Sequence, residues 1–482
     1  MGRVAVIGGG ISGLAAAHRL GQRGVPVTLF EAAARTGGAI GSERADGFLV
    51  ERGPNALQEP SPALAALVCG LGLEGQRVFA REAARRRYVV RRGRLVPLPR
   101  SPAELLRSAL LSPAAKLRLL REPFVEPAPL EREESVAGFV RRRLGAEILD
   151  YGFDPYIAGT FAGVPGRLSV RFALPRLYAL ERAHGSLVRS LVGGGGAEQR
   201  GQEGRGGRRR TGPDAGRHRP PSRLYSFRGG LQALTDALHA RLAGAVRLNT
   251  PVRGVRPTGD GWAVTVLDAG RAATEHFDAV VYAAPLHRLG QLNLETPIDV
   301  GPLASVYHPP LSVLALGYRR EDVRHPLDGF GLLVPSVEPF GVLGTLFSST
   351  LFPDRAPEGQ VLLTTFLGGA RRPELARAST ETLLATTQRD LRALLGVAGE
   401  PTFVRHVYWP RSIPQYELGY GRLEAIMGRL EATHPGFFMA GSYRGGIGVG
   451  DALRSGFEAA ARVLGAGQHD RVSVALHAHP SP

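Results

Sequence analysis

Short apolar runs alternate with helical segments near the start of the chain. Val4–Ile7 and Val27–Phe30 are continuous apolar runs, which are typical of parallel strands buried on both faces. Residues 15–20 lie between them and have a helical pattern. The order strand, helix, strand predicts an α/β fold that begins with a βαβ unit.

The middle of the chain follows other patterns. Residues 98–192 are mainly helical, and Ser101-Pro102 and Ser112-Pro113 are typical helix starts. Residues 85–98 predict a hairpin, and residues 311–409 contain a helix at 379–395 among several strand-like runs. These patterns predict a helical subdomain and a mixed-sheet substrate domain. The strand-like runs are 312–318, 330–335, 341–347, 361–367 and 403–409.

Leucines flank basic residues along residues 102–121. An apolar face edged with cations suits a membrane surface, and it suits a solvated helix equally well, so both interpretations stay open. No apolar run approaches the roughly 20 residues that span a bilayer. Cys69 is the only cysteine, which excludes disulfides within the chain. We therefore expect a cytoplasmic protein, either free or peripheral on the cytoplasmic membrane.

The net charge of +17 over 482 residues comes almost wholly from arginine. A basic excess favours nucleic acid, acidic lipids or an anionic substrate as partner, and a genome rich in G and C gives the same bias. Residues 193–223 combine Gly, Arg and Pro with almost nothing apolar, which predicts a disordered loop. The loop lacks interleaved aromatics, so we expect no nucleic-acid partner. No Cys/His cluster indicates a metal.

A glycine motif follows the first strand. Gly8, Gly10 and Gly13 have the spacing G-x-G-x-x-G, and Glu31 ends the second strand. In a dinucleotide site such glycines allow a tight turn, close approach of a pyrophosphate and close helix packing. The N–H groups at the helix start attract phosphate, and the acid binds a ribose hydroxyl pair. Glu31 favours an unphosphorylated ribose, as in FAD or NAD.

Three further motifs favour FAD. Arg35, Gly37 and Gly38 complete E-x-x-x-R-x-G-G, which resembles the continuation in FAD enzymes of the amine oxidase and porphyrinogen oxidase group. ERGPN at 51–55 predicts a rigid bend that brings backbone N–H groups to a flavin, with a simple loop as the alternative. Residues 441–456 predict a second glycine-rich turn and helix start, which would stabilise negative charge on a reduced flavin.

Together the motifs resemble the oxygen-dependent protoporphyrinogen oxidase family, FAD enzymes of haem biosynthesis. The resemblance covers residues 2–465 apart from the Gly/Arg loop. It departs where the family often has Asp-Cys and Gly-Asn, because this chain has Asp451-Ala452 and Gly441-Ser442. The motifs are GGGISGLAAA at 8–17, ERGPN at 51–55, GTFAG at 159–163, LS at 168–169, YSFRGGLQAL at 225–234, GFGLLVP at 329–335, IPQYELGY at 413–420 and GSYRGGIGVGDALRSG at 441–456.

We accordingly expect a Rossmann-like FAD-binding domain, a mixed-sheet substrate domain, and a helical subdomain for which membrane contact is open. The FAD-binding domain comprises residues 1–82, 224–300 and 432–467. The substrate domain comprises residues 83–97 and 301–431, and the helical subdomain residues 98–192. The disordered Gly/Arg loop at 193–223 and a frayed tail at 468–482 complete the chain.

The resemblance also implies site residues. Residues at matching positions lie along FAD, with Val252 holding the adenine through its backbone. They are Gly8, Gly9, Gly10, Ile11, Ser12, Gly13, Leu14, Ala15, Glu31, Ala32, Arg35, Gly38, Ala39, Gly53, Pro54, Asn55, Ala56, Val252, Ser442, Ile447, Gly448 and Val449. In the substrate site, Arg87 would pair with a propionate, and the macrocycle would be gripped by Phe330, Leu333 and Phe366. Arg87 as part of a surface arginine run, and the two phenylalanines as core residues, are the alternatives.

The implied reaction is oxidation of protoporphyrinogen IX to protoporphyrin IX by FAD, with molecular oxygen as acceptor and H2O2 as product. A porphyrinogen is a flat macrocycle with rim carboxylates, so its site needs apolar walls and one or two cations. Hydride removal belongs to the cofactor, and no catalytic base is assigned. Coproporphyrinogen III oxidation, an amine oxidase and a desaturase remain alternatives. A homodimer is left open.

Overall fold

A five-stranded parallel sheet lies at the centre of the part that carries both glycine-rich motifs. The computed structural model describes residues 2–58, 62–129, 132–192, 223–242 and 244–476. The predicted Gly/Arg loop, apart from residue 223, lies outside these ranges. Because every pairing is parallel, the carboxyl ends of the strands meet at one edge, where ligands bind in such sheets. The strand order is Val246–Arg247, Val27–Phe30, Val4–Ile7, Ala279–Tyr282 and Phe437–Met439.

Helices Ile11–Gly21, Gln232–Arg241 and Val449–Leu476 contribute to one apolar cluster with this sheet. The first helix begins at Ile11, so the start predicted at residue 15 is wrong. Glycine is a poor helix former by propensity, yet Gly13 lies in the first turn because close packing there needs it. The last helix continues past residue 467, contrary to the frayed tail predicted there, and residues 477–482 lie outside the described ranges.

The sequence of residues 246–252 suggests one strand, but the structure divides these residues between two strands. Asn249 has a φ of 53°, and this left-handed turn divides the run between two sheets. Val252 begins the second sheet, which lies next to the parallel sheet in one apolar cluster. The strands of this second sheet pair in the order Arg271–Phe277, Gly261–Asp268, Val252–Thr258 and Asn293–Leu294.

A seven-stranded mixed sheet confirms the predicted mixed-sheet architecture. Its strands pair antiparallel except Arg87–Arg91 with Gly331–Leu333, which pair parallel. One strand of the predicted hairpin therefore pairs with a strand that lies more than 200 positions later in the sequence. The strand order is Phe403–Trp409, Leu311–Arg319, Gln360–Gly368, Val342–Phe347, Gly331–Leu333, Arg87–Arg91 and Arg94–Pro97.

Residues 102–129 and 132–192 are mainly helical. Ser101 and Ser112 cap the first two helices by accepting hydrogen bonds from the N–H groups of Glu104 and Ala115, which confirms the predicted helix starts. The helices are Pro102–Arg107, Pro113–Leu120, Val136–Arg143, Ala146–Ile148, Asp154–Phe161, Val170–Ala173, Pro175–His184 and Leu187–Val192, with a 3-10 turn at Glu122–Phe124 and a π-helix at Leu149–Phe153.

The remaining elements connect these parts. Two small sheets comprise Ser42–Ala45 with Phe48–Glu51, and Leu57–Gln58 and Arg77–Phe79 with Leu224–Phe227. The other helices are Pro62–Gly70, Gly301–Ala304, Ser348–Leu351, Pro373–Ala376, Thr380–Leu395 and Tyr420–Thr433, and the 3-10 turns are Glu74–Gln76, Glu82–Arg85, Leu286–Gln291 and Arg320–Asp322. Among the described residues, none of the helices combines the length and the apolar character needed to cross a membrane.

Candidate cofactor and substrate site

The first glycine turn has the shape of a phosphate cradle. Gly8 has a φ of 107°, a conformation that favours glycine. A Cβ placed on Gly13 would overlap the carbonyl oxygen of Gly8, whereas a Cβ on Gly10 would meet nothing within 4 Å. The open space beside Gly10 leaves room for the close approach that a pyrophosphate needs.

The helix that follows points its uncapped N-terminus at this space. Gly10 is the N-cap residue, and no side chain caps the helix, so the first N–H groups and the helix dipole attract an anion. The Ser12 hydroxyl donates to the carbonyl oxygen of Ala452 at 2.7 Å, which leaves only its backbone for a phosphate. Leu14 and Ala15 are fully buried, and their contact with FAD stays a prediction.

Glu31 lies beside the same turn. Its carboxylate accepts hydrogen bonds from the N–H groups of Gly9 at 2.6 Å and Ala33 at 2.8 Å, and Ala32 is exposed between them. The carbonyl oxygen of Glu31 accepts from the N–H of Thr250 at 2.9 Å. This contact brings the chain leading to Val252 next to the predicted ribose site.

Arg35 braces the loop that faces the glycine turn. Its guanidinium donates to the carbonyl oxygens of Ile40 at 2.8 Å and Gly38 at 3.0 Å. A Cβ on Gly38 would lie 3.3 Å from the Cα of Gly10, and Ala39 is exposed at the loop tip. The Arg35 side chain therefore fixes the shape of the loop by binding the loop's backbone carbonyl oxygens.

The ERGPN segment packs on that loop. A Cβ on Gly53 would overlap the carbonyl oxygen of Ala39, and the Asn55 side chain donates to the carbonyl oxygen of Gly53 at 3.0 Å. Pro54 and Ala56 are half-buried on either side of Asn55. The predicted rigid bend is thus formed in contact with a second predicted cofactor segment.

The C-terminal glycine-rich loop reaches the same edge of the parallel sheet. Val449 begins the last helix and packs in the apolar cluster that contains Ile11. Ser442 and Ile447 are half-buried, and Gly448 is exposed. The structure therefore brings the N-terminal and C-terminal cofactor motifs together, while their contact with FAD stays a prediction.

Arg87 and Phe330 form the first half of the predicted substrate site. The guanidinium carbon of Arg87 lies 4.8 Å from the centre of the Phe330 ring. Arg87 is exposed, and the described residues supply it with no carboxylate partner. Phe330 and Ala56 pack against one apolar cluster, so the substrate residues border the cofactor residues.

Leu333 and Phe366 form the second half on neighbouring strands. Gly344 pairs with both of them, so the three share one row across the sheet, and Leu333 and Phe366 remain half-exposed. A Cβ on Gly159 would lie 2.6 Å from the Cδ2 of Leu333. Gly159 therefore lies against a predicted substrate residue, and its sequence signal is the GTFAG motif.

A buried ion pair that the sequence did not predict lies between the ERGPN segment and the mixed sheet. Arg355 donates to Glu51 at 2.8 Å and to the Ser226 hydroxyl at 2.7 Å. Burial raises the pKa of Glu51, against the charge of Arg355 and a hydrogen bond from Ser42, which lower it. Asn55, Leu346 and Thr364 line a cavity with this pair. The cavity therefore connects the ERGPN segment to the mixed sheet.

Comparison with known proteins identifies a family and relatives. A family described as flavin containing amine oxidoreductase matches residues 11–464. Protoporphyrinogen oxidase 2, chloroplastic/mitochondrial, of Arabidopsis thaliana is 37% identical over 96% of this chain and 94% of that protein. Coproporphyrinogen III oxidase of Bacillus subtilis is 27% identical over 96% of this chain and 97% of that protein. A solved structure from Exiguobacterium sp. 255-15 has a TM-score of 0.78 at 22% identity, covers 96% of this chain and 98% of its own, and shows the same fold.

Proposed function

Because this chain belongs to the flavin-containing amine oxidoreductases, we propose that it oxidises protoporphyrinogen IX to protoporphyrin IX with FAD and O2. The predicted FAD, oxidoreductase class and α/β fold are confirmed. Six hydrogens leave the macrocycle in three two-electron steps, and each step converts one O2 to H2O2. The observation that carries the substrate assignment is the mixed-sheet face where Arg87, without a carboxylate partner in the described ranges, lies over Phe330 beside the cofactor segments.

The protein's own part in this reaction is binding and orientation. The uncapped helix start at Gly10 holds the pyrophosphate, and Glu31 holds the ribose. FAD supplies the two-electron acceptor when bound. Arg87 pairs with a propionate at the macrocycle rim, and apolar side chains of the mixed sheet hold its face and exclude water. Those side chains are Phe330, Leu333 and Phe366.

The decisive experiment compares two substrates under air. Purified protein should be yellow, and protoporphyrinogen IX should give porphyrin fluorescence at a higher kcat/KM than coproporphyrinogen III. The second substrate carries more rim carboxylates, and Arg87 can pair with only one of them. Faster turnover of coproporphyrinogen III would move the assignment to that alternative. A protein that binds flavin but oxidises neither compound would contradict the porphyrinogen proposal.

Replacing Arg87 with alanine should raise KM for protoporphyrinogen about 10-fold, because it removes one charge-assisted hydrogen bond to the substrate. The bound FAD per protein should not change, since Arg87 lies on the substrate side. Steady-state fluorescence assays and flavin absorbance measure the two quantities. Arg94→Ala in the same hairpin is the matched control, as Arg94 is also exposed. Equal KM values for the two variants would remove Arg87 from the site.

We also propose that the helical subdomain docks on the cytoplasmic membrane surface. Leu106, Leu117, Leu120 and Phe124, which we call the helical apolar surface, are 59–81% exposed. The Lys116 ammonium donates to the carbonyl oxygen of Leu106 at 2.8 Å, which joins the helix of Leu106 to the helix of Leu117 and Leu120. Phe124 lies in the 3-10 turn that follows the second helix. Each such side chain gains about 1.5–3 kcal/mol when it leaves water. Exposed Arg107 and Arg121 flank the surface and would attract anionic lipid.

The triple substitution of Leu117, Leu120 and Phe124 by serine should abolish sedimentation with phosphatidylcholine–phosphatidylglycerol vesicles. The parent protein should sediment with them, and less so without phosphatidylglycerol. Val337→Ser is the control, because Val337 is 55% exposed on a different part of the protein. Equal sedimentation of parent and triple variant would contradict the proposal. Size-exclusion chromatography of the same samples would distinguish a monomer from the homodimer that the sequence leaves open.

A further inference from the structure

The IPQYELGY segment, residues 413–420, lies between the helical subdomain and the C-terminal glycine-rich loop. The Gln415 side chain donates to the carbonyl oxygen of Phe161 at 2.8 Å. The carbonyl oxygen of Tyr416 accepts from the N–H of Ser169 at 2.8 Å. These contacts fix the segment to the helical subdomain on one side. The function proposed above gives this segment no role.

On its other side the segment holds the glycine-rich loop through two tyrosine hydroxyls. The Tyr416 hydroxyl donates to the carbonyl oxygen of Ser442 at 2.6 Å and accepts from the N–H of Gly446 at 3.0 Å. The Tyr420 hydroxyl donates to the carbonyl oxygen of Tyr443 at 2.6 Å. Every loop atom involved belongs to the backbone, so the hydroxyls fix the path of the loop.

The two tyrosines are themselves immobilised. Tyr416 and Tyr420 are 3% and 2% exposed, and their ring centres lie 4.6 Å apart. Burial raises the pKa of both hydroxyls, so they stay protonated and remain donors. A buried polar group that loses its partner carries a desolvation penalty. Removing either hydroxyl would therefore leave loop backbone groups unpaired.

Apart from the tyrosines, other side chains also hold the loop's backbone. The Ser455 hydroxyl accepts from the N–H of Gly441 at 3.1 Å, and the Arg454 guanidinium donates to the carbonyl oxygen of Gly445 at 3.0 Å. Gly445 and Gly446 have φ values of 79° and 134°, in the region that favours glycine and allows many other conformations.

At the loop's end, the N–H of Gly448 donates to the Asp451 carboxylate at 3.2 Å. The tyrosine hydroxyls hold Ser442, Tyr443 and Gly446, which lie between these other contacts. Loss of the tyrosine hydrogen bonds would thus loosen this middle part of the loop.

We propose that Tyr416 and Tyr420 are positioning residues that hold the loop at 441–448 in the conformation that binds the flavin. Through the loop they also fix where the N-terminus of the following helix points, and this end carries a partial positive charge. The proposal rests on the proposed cofactor role of Ser442 and of residues 447–449. It concerns the flavin alone and does not depend on which porphyrinogen is oxidised.

The test uses Tyr416→Phe and Tyr420→Phe, with Tyr318→Phe as the matched control. Tyr318 is equally buried, and its hydroxyl has no hydrogen-bond partner among the described residues. FAD release from the purified holoenzyme is followed by the rise in flavin fluorescence. The midpoint potential of the bound flavin is measured by titration against a reference dye.

We expect about 10-fold faster FAD release from Tyr416→Phe and a smaller increase for Tyr420→Phe, which removes only one hydrogen bond. Both should lower the midpoint potential, because a loosened loop offers fewer fixed positive dipoles. Tyr318→Phe should match the parent protein. Release and potential unchanged in both test variants, or equal changes in Tyr318→Phe, would overturn the proposal. Neither readout uses porphyrinogen turnover, so failure of the proposed function would be seen separately.

Discussion

Gly13→Ala is expected to bind FAD roughly 5- to 150-fold more weakly than the parent protein. The new Cβ would overlap the carbonyl oxygen of Gly8, and overpacking of this kind costs about 1–3 kcal/mol. The backbone at Gly8 and the helix that contains Gly13 must therefore move apart. Either movement displaces the N–H groups that attract the pyrophosphate. Titration of the apoprotein with FAD measures the affinity.

Gly21→Ala in the same helix is the control for this prediction. A Cβ on Gly21 would meet nothing within 4 Å, and alanine is a better helix former by up to about 1 kcal/mol. Its FAD affinity should equal that of the parent, and its thermal stability should be the same or slightly higher. An equal loss of FAD affinity in both variants would show that any glycine-to-alanine change in this helix weakens binding, and that close packing at Gly13 is not the cause.

These glycines were predictable because their role depends on nearby residues. A turn, a helix start and an acid at the end of the next strand lie within one βαβ unit, and their spacing is fixed by its geometry. The limits of elements were less predictable. Because glycine disfavours helices, the sequence predicted a helix start after Gly13, whereas the helix begins at Ile11. The segment 246–252 has no glycine to mark the turn at Asn249, where the chain changes sheets.

Contacts between distant segments left no sequence signal. Arg355 lies 304 positions from Glu51, and nothing near either residue indicates the other. The same holds for the Tyr416 hydroxyl, whose partners lie on another segment. The substrate residues were identified by resemblance alone. Only the order of strands explains why Leu333 and Phe366 share one row of the mixed sheet.

Loss of the Arg355–Glu51 pair, which lies between the ERGPN segment and the mixed sheet, should strongly destabilise the protein. Both side chains are 3% exposed, so Arg355→Met would leave a carboxylate buried with only hydrogen-bond donors around it. Breaking a buried pair in this way costs about 3–5 kcal/mol. Arg392→Met is the control. Its pair with Glu400 is exposed, and such pairs contribute at most about 1 kcal/mol.

The pH dependence of this loss distinguishes a buried charge from a simple packing defect. Burial already raises the pKa of Glu51, and Arg355 opposes the rise, so Arg355→Met should raise that pKa further. A carboxyl group whose pKa is higher in the folded than in the unfolded protein favours folding at low pH and opposes it as the pH rises. Urea denaturation should therefore show a smaller loss of stability for Arg355→Met at pH 5 than at pH 8. Adding Glu51→Gln should recover part of the loss at pH 8, since a neutral amide replaces the unpaired charge. An equal loss at both pH values, without recovery in the double variant, would mean that the charge of Glu51 is not what the arginine balances.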